Sequence, residues 1–157
     1  MRGAGAIITV ALLALAGCQR PSAPTDITGL LRAQGFDFLD TPEMTISPIC
    51  SVDVGRTRYD FFWYEWRQRP EDAPGAALHA AHRLIQLRDG RTYDGHYGSL
   101  QPEDRPTCRP DHHELVFSAS PVDVRNHGLP PHTAITVGKD GLPGQILVNG
   151  QIYIRDR

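Results

Sequence analysis

The feature that most limits how this chain can fold is a run of aromatic residues within positions 58–68. Tyr, Phe and Trp favour the pleated surface of a β-strand, so the run predicts a central strand. Successive side chains of a strand point to opposite faces. The aromatic residues therefore divide into one set of Phe62, Tyr64 and Trp66 and another of Phe61 and Trp63. Because both faces are apolar, we expect a strand that is covered on both sides, for example by a second sheet and a helix.

The alternative for the same segment is a solvent-exposed aromatic platform. Trp63, Tyr64 and Trp66 would then be the candidate residues for binding a carbohydrate or a peptide, since tyrosine and tryptophan combine a flat apolar face with a hydrogen-bonding edge. Burial of these three side chains in a core is the competing interpretation.

Two dipeptides predict tight β-hairpins. Asn149-Gly150 separates strand-like residues 145–148 from 151–154, and Asp89-Gly90 precedes a strand-like segment at 91–97. Both dipeptides suit the two-residue type I′ turn, which needs positive φ at both central positions. The chain therefore contains at least two predicted antiparallel pairs.

Residues 76–88 fit two patterns. Leu84 to Arg88 lead directly into Asp89-Gly90, which favours the first strand of a hairpin. Apolar residues such as Leu78, Ala81 and Leu84 also repeat at helical spacing, so a helix is the alternative for this segment. We predict the hairpin.

The remaining segments complete a β-rich pattern. A capping residue, helically spaced apolar residues and a terminal glycine predict a short N-terminal helix over residues 25–35. The predicted further elements are loop or edge structure at 41–51, a loop at 99–110, a strand at 114–118, irregular structure at 121–131, a strand at 133–137 and a turn at 139–141. The predicted fold class is mainly β, with an antiparallel sheet arranged as a sandwich, open barrel or meander.

The N-terminus carries a targeting pattern. Arg2 precedes an apolar stretch of about a dozen residues, which is shorter than the roughly 20 that a membrane span needs. The stretch ends in Leu15-Ala16-Gly17-Cys18, which resembles the lipobox of bacterial lipoproteins. The resemblance implies cleavage before Cys18, a diacylglyceryl thioether on its sulfur and acylation of the new N-terminus. It covers only this segment, and the rest of the chain resembles no family that we can name.

The resemblance divides the chain into three parts. Residues 1–17 are the expected signal peptide, residues 18–25 a lipidated tether and residues 26–157 a single β-rich periplasmic domain. Several acyl chains hold a protein at a bilayer effectively permanently. The tether reaches only about 25 Å when extended, so we expect the domain to lie near the lipid surface. Gln19, rather than aspartate, follows the cysteine, which in a Gram-negative source implies the periplasmic face of the outer membrane.

The other two cysteines, Cys50 and Cys108, are expected to form a disulfide. With Cys18 consumed by lipid, they are an even pair in an oxidising compartment. Closing the long loop between them would disfavour the unfolded state by roughly 4 kcal/mol. Two buried, unpaired thiols are the alternative.

The net charge of the chain does not favour binding to polyanions. The chain has 16 basic and 18 acidic residues, giving a net charge of −2 with neutral histidines. This balance does not favour nucleic acid or anionic headgroups, so we expect no nucleic-acid partner. Lys139 is the only lysine, which leaves one weak candidate for lysine-centred catalysis.

We predict no catalytic residue, no metal ligand and no cofactor. The chain contains no Gly-x-Ser-x-Gly, Ser-x-x-Lys, His-Glu-x-x-His, Walker or dinucleotide glycine motif. His79 with His82 would share a face only in a helix, and His112 with Glu114 provides two ligands where a closed zinc site usually has four. Asp60 or Glu65 could imitate a glycosidase carboxylate only with a partner at the right distance.

These observations favour a non-catalytic cell-envelope lipoprotein. It would be a membrane-tethered binding or scaffolding module, with the bilayer as one partner and an envelope protein or cell-wall component as the other. The alternative is a metal- or carboxylate-dependent envelope enzyme. A concave site with converging His, Asp or Glu would support the enzyme, whereas an apolar patch or a free sheet edge would support binding.

Overall fold

The computed structural model describes residues 26–36, 39, 43–68 and 79–157, without the side chains of residues 68 and 79. Cys18, the predicted signal peptide and the tether lie outside this part. The described residues form two 3₁₀ turns, at Pro102–Asp104 and Pro110–His112, and two short α-helices and nine strands. The helices and strands are α1 (Ile27–Ala33), β1 (Met44–Val54), β2 (Thr57–Gln68), β3 (His79–Arg88), β4 (Thr92–Leu100), β5 (Thr107–Arg109), β6 (Glu114–Ser118), α2 (Pro121–His127), β7 (His132–Thr136), β8 (Gln145–Val148) and β9 (Gln151–Asp156).

The strands form two antiparallel sheets. One has six strands in the order β1-β2-β3-β4-β9-β8, so a four-stranded meander is extended by the C-terminal hairpin. The other has three strands in the order β5-β6-β7. The predicted fold class, mainly β and antiparallel with a short N-terminal helix, is confirmed.

The β2 strand is covered on both sides, as its sequence predicts. Phe61 and Trp63 belong to a first core, which also contains Leu115 and Phe117 of the three-stranded sheet. The opposite face of β2 contributes to a second core, which is completed by residues of α1 and of the segment after it. The second core is formed by Leu31, Phe36, Leu39, Phe62, Tyr64, Ile85 and Leu87. The six-stranded sheet is therefore the middle layer between a small sheet and a helix.

Both predicted hairpin turns are present. Asp89-Gly90 and Asn149-Gly150 have positive φ at both central residues, as a type I′ turn requires. Residues 79–88 are a strand, so the hairpin interpretation of this region is correct and the helix interpretation is wrong. The segment leading to Cys50 is an edge strand, β1, and its register shifts between Pro48 and Cys50. Proline is tolerated there because an edge strand need not donate every backbone hydrogen bond.

Two segments differ from the prediction. Residues 121–131 were expected to be irregular, but they contain α2, which Ser120 caps, Pro121 begins and Gly128 ends in the left-handed conformation. The predicted loop at 99–110 contains a 3₁₀ turn over Pro102–Asp104 and the short strand β5. Pairing with β6 stabilises β5, whose three residues are too few for a recognisable sequence pattern.

The structure contains the predicted bridge between Cys50 and Cys108. Their Cα atoms are 6.3 Å apart, within the range usual for a disulfide. Cys50 lies in β1 and Cys108 in β5, so the bridge joins the edge of the large sheet to the small sheet.

Neither helix in the described part of the chain has the length and apolar character that crossing a bilayer requires.

Candidate functional site

The aromatic residues predicted as a binding platform are not brought together on the surface. Trp63 and Tyr64 are each only 2% exposed and belong to different cores, on opposite faces of β2. Trp66 is partly buried against the second core. Trp63 and Tyr64 are therefore core residues, and neither ring is accessible to a ligand.

The titratable residues considered from the sequence are also separated. Asp60 is buried and accepts hydrogen bonds from the Ser51 hydroxyl at 2.5 Å and from Arg58 Nε at 2.8 Å. Glu65 is on the opposite face of β2, where it pairs with Arg67 and lies 4.0 Å from His82 Nε2. Since the two carboxylates point away from each other, they cannot flank one substrate.

His82 lies in the core rather than in an open ligand set. Its ring is 4% exposed and stacks on Trp63, with 5.6 Å between the ring centroids. His112 is exposed at the end of a 3₁₀ turn over Pro110–His112, and Glu114 pairs with Arg109 at 3.0 Å. Within the described residues, no group of three or more His, Cys, Asp or Glu side chains is placed to hold a metal ion.

A concave polar site lies where three separate segments meet. The 3₁₀ turn at 102–104, helix α2 and the β8–β9 turn enclose a cavity of about 470 Å³. We call it the Asp104 cleft. It is lined mainly by acidic and amide side chains and by one tyrosine and one histidine. These residues are Gln101, Glu103, Asp104, Asp123, His127, Asn149, Gln151 and Tyr153.

Asp104 is the most constrained side chain of the cleft. It is 2% exposed and accepts three hydrogen bonds, from the Asn149 amide at 2.7 Å, the Gln101 backbone N–H at 2.9 Å and the Tyr153 hydroxyl at 2.9 Å. None of the ion pairs formed by the described residues places a cation on Asp104. Neutral donors therefore stabilise this buried carboxylate, which fixes the positions of Asn149 and Tyr153.

Asp123 and His127 form the α2 side of the cleft. The Asp123 backbone N–H donates to the Ser120 hydroxyl, which in turn donates to the Asp123 carboxylate at 2.7 Å. The imidazole of His127 is one helical turn away, with Nε2 3.9 Å from Asp123 Oδ1. Asp123 thus has a local structural role as part of the helix cap.

Tyr153 connects the buried and the open parts of the cleft. Burial, followed by its hydrogen bond to Asp104 and the charge of that carboxylate, raises the pKa of Tyr153. Its hydroxyl oxygen is also 2.8 Å from the Gln151 side chain. Tyr153 is therefore a neutral phenol at physiological pH, and Gln151 extends the polar network to the surface.

Comparisons with known proteins do not identify the chain. No family model, no curated protein and no solved structure matches it.

The β8–β9 hairpin presents different chemistry on its two faces. Gln151 and Tyr153 point to the side of the first core and the Asp104 cleft, together with the buried Ile146 and Val148. The opposite face presents three exposed aliphatic side chains, Leu147, Ile152 and Ile154. The structure therefore contains both a concave polar site and an exposed apolar patch.

The sequence did not indicate the Asp104 cleft. Its residues come from segments centred near positions 103, 125 and 150, and the sequence predicts a loop for the first and irregular structure for the second. The available clues were local, namely the Ser120-Pro121 helix start and the Asn149-Gly150 turn. Neither clue predicts that these segments will lie beside Asp104.

Proposed function

We propose that this chain is a non-catalytic, lipid-anchored protein of the cell envelope that binds a polar cell-wall component in the Asp104 cleft. The observation that carries the binding part is the cleft itself. Its volume of about 470 Å³ falls within the range of small-molecule sites. Its lining combines carboxylates and amides in a concave surface.

The chemistry of the lining indicates the class of ligand. Glu103, Asp104 and Asp123 make the cleft acidic, while Gln101, Asn149 and Gln151 supply amide donors and acceptors. Such groups bind hydroxyl, amide and ammonium groups, since carboxylates accept hydrogen bonds and amides both donate and accept them. Amino sugars and peptide stems of cell-wall polymers carry all three.

Binding fits the cleft better than acid–base catalysis does. Asp104 is buried and already engaged by three donors, and Asp123 is held by its own helix cap. A general acid or base must reach the reacting proton at about 2.6–3.2 Å. Two of the three carboxylates of the cleft, Asp104 and Asp123, thus have structural roles that compete with proton transfer.

The anchoring part of the proposal depends on Cys18. Acyl chains on its sulfur would place the domain at the periplasmic face of the outer membrane, within the short reach of residues 18–25. The Cys50–Cys108 disulfide supports this location, because disulfides persist in oxidising compartments.

Replacing Gln151 by alanine should weaken binding to the cell wall. The residue lies at the open side of the cleft, so the variant should fold normally while it loses hydrogen bonds to a ligand. We expect retention on purified Gram-negative peptidoglycan sacculi to weaken about fivefold to tenfold, the equivalent of one net hydrogen bond. The measurement is co-sedimentation of the protein with sacculi over a range of polymer concentrations.

Gln145→Ala is the matched control. Gln145 is an exposed glutamine of the same hairpin, on the face opposite the cleft, and its replacement should leave co-sedimentation unchanged. Equal retention of Gln151→Ala and Gln145→Ala on sacculi would contradict binding through the cleft. Release of soluble muropeptides by the wild-type protein would instead support the enzymatic alternative.

Changing Cys18 to alanine should release the protein from the membrane fraction. Without the thioether there are no acyl chains to partition, and a leader of about a dozen apolar residues is too short to span the bilayer. Fractionation of cells that express each form would check this. A Cys18→Ser form should behave in the same way, whereas undiminished membrane association of both forms would refute lipid anchoring.

A further inference from the structure

The uncovered face of the β8–β9 hairpin is a compact aliphatic surface. Leu147 and Ile152 are directly paired across the two strands, and Ile154 lies two residues further along the same face. Their exposed fractions are 56%, 69% and 60%. We call these three side chains the hairpin face.

The hairpin face is on the same side of the large sheet as α1. Asp156 shares a face of β9 with Ile152 and Ile154 and lies opposite His96 in the pairing of β9 with β4. The side chains of Asp156 and His96 are therefore on the same side of the sheet. The ring of His96 contacts Phe36, which follows α1 in the second core. The helix α1 and the hairpin face therefore lie on the same side of the large sheet.

The predicted tether would be joined to the domain at α1, on that side of the sheet. Only residues 19–25 separate Cys18 from Asp26, the N-cap of α1, and a fully extended segment of this length spans roughly 25–30 Å. If the acyl chains are in the bilayer, the side of the sheet that carries α1 is held within reach of the lipid. A contact that is weak in free solution is then favoured, because the anchor makes it intramolecular.

We propose that the hairpin face rests on the bilayer and enters its interfacial region. The inference rests on the proposed lipid anchor and adds an orientation to it. Gln151 and Tyr153 point to the opposite side of the same hairpin, so the Asp104 cleft then faces away from the membrane, towards the cell wall.

A bilayer fits this surface better than a second copy of the chain does. Three aliphatic side chains provide apolar area on the order of 200 Å², whereas a stable interface buries about 800 Å² per partner. The net charge of −2 gives no attraction to anionic headgroups, so the contact is apolar and should occur on zwitterionic lipid.

A fluorescent label can test this orientation in the lipidated full chain. Ile152→Cys introduces a single free thiol, because Cys50 and Cys108 are bridged and the Cys18 sulfur is acylated. The thiol is labelled with an NBD fluorophore, and the protein is reconstituted in phosphatidylcholine vesicles containing lipids with a nitroxide near the headgroup. Val122→Cys is the matched control, since Val122 is an exposed aliphatic residue of α2, beside the cleft.

We expect the nitroxide to quench the label at position 152 at least about twofold more than the label at position 122, since peripheral apolar surfaces enter a bilayer by about 5–10 Å. Ile154→Cys should reproduce the result at position 152, and raised salt should not reduce it.

Equal quenching at positions 152 and 122, with mass spectrometry showing acyl chains on Cys18, would overturn the orientation and leave the anchor intact. An unmodified Cys18 would overturn both. A blue-shifted label at position 152 without vesicles, in a chain carrying Cys18→Ala, would also overturn the orientation. If that blue shift depends on protein concentration, the hairpin face is covered by a second copy of the chain. If it does not, the face is covered by other residues of the same chain.

Discussion

Replacing both Cys50 and Cys108 by alanine should lower the free energy of unfolding by about 4 kcal/mol. The two residues are 58 positions apart, so their bridge removes a large part of the conformational freedom of the unfolded chain. It also joins two sheets that otherwise meet through side-chain packing, with β1 on one side and β5 on the other. For a urea dependence of about 2 kcal/mol per M, the unfolding midpoint should fall by about 2 M.

Reduction provides the control for this prediction. A thiol reductant should lower the midpoint of the wild-type protein by a similar amount and leave that of the double variant unchanged. An oxidised wild-type protein that unfolds at the same urea concentration as the double variant would show that the bridge does not constrain the unfolded chain. Binding of two equivalents of a thiol reagent to the mature, denatured, unreduced protein would show that the bridge does not form.

The sheet could be predicted because its determinants are local. The aromatic residues of β2 favour a strand by their type, and because they run almost continuously both faces of that strand are apolar. Asp89-Gly90 and Asn149-Gly150 adopt the positive φ values that their turn type requires. In each case the residues that specify the structure lie within a few positions of the structure they form.

Helix α2 has clear capping signals but no apolar repeat. Ser120, Pro121 and Gly128 supply a cap, a first-turn proline and a left-handed terminus. The helix has only seven residues, none of which is buried, so the apolar repeat that usually identifies a helix is absent. The predicted irregular structure at 121–131 is therefore wrong for Pro121–His127, where the capping residues define a helix.

The Asp104 cleft could not be predicted because it depends on distant pairing. Asp104 follows β4, whereas Asn149 and Tyr153 belong to the terminal hairpin, and the pairing of β4 with β9 brings them together. The acids that the sequence singles out, Asp60 and Glu65, lie in β2 beside the aromatic residues. The buried acid with three donors instead lies in a 3₁₀ turn, within the segment that the sequence predicts to be a loop.

Asp104→Ala should destabilise the protein by about 3 kcal/mol, because it leaves the Tyr153 hydroxyl, the Asn149 amide and the Gln101 N–H without their shared acceptor in a buried site. Asp104→Asn should cost less, since the amide retains one acceptor oxygen and similar volume. The measurement is the free energy of unfolding from urea titrations. Asp111→Ala is the matched control, because this exposed aspartate should change stability by no more than about 0.5 kcal/mol.

A double-mutant cycle with Tyr153→Phe separates the hydrogen-bond network from a general loss of charge. If the hydroxyl is stabilised by Asp104, its removal should cost about 1–2 kcal/mol in the wild-type chain and close to zero beside Asp104→Ala. The coupling must vanish if Asp104 acts only through the overall charge, since the two effects would then add. Coupling between the two residues, together with weaker retention of Asp104→Asn on sacculi, would link the rigidity of the cleft to its proposed binding role.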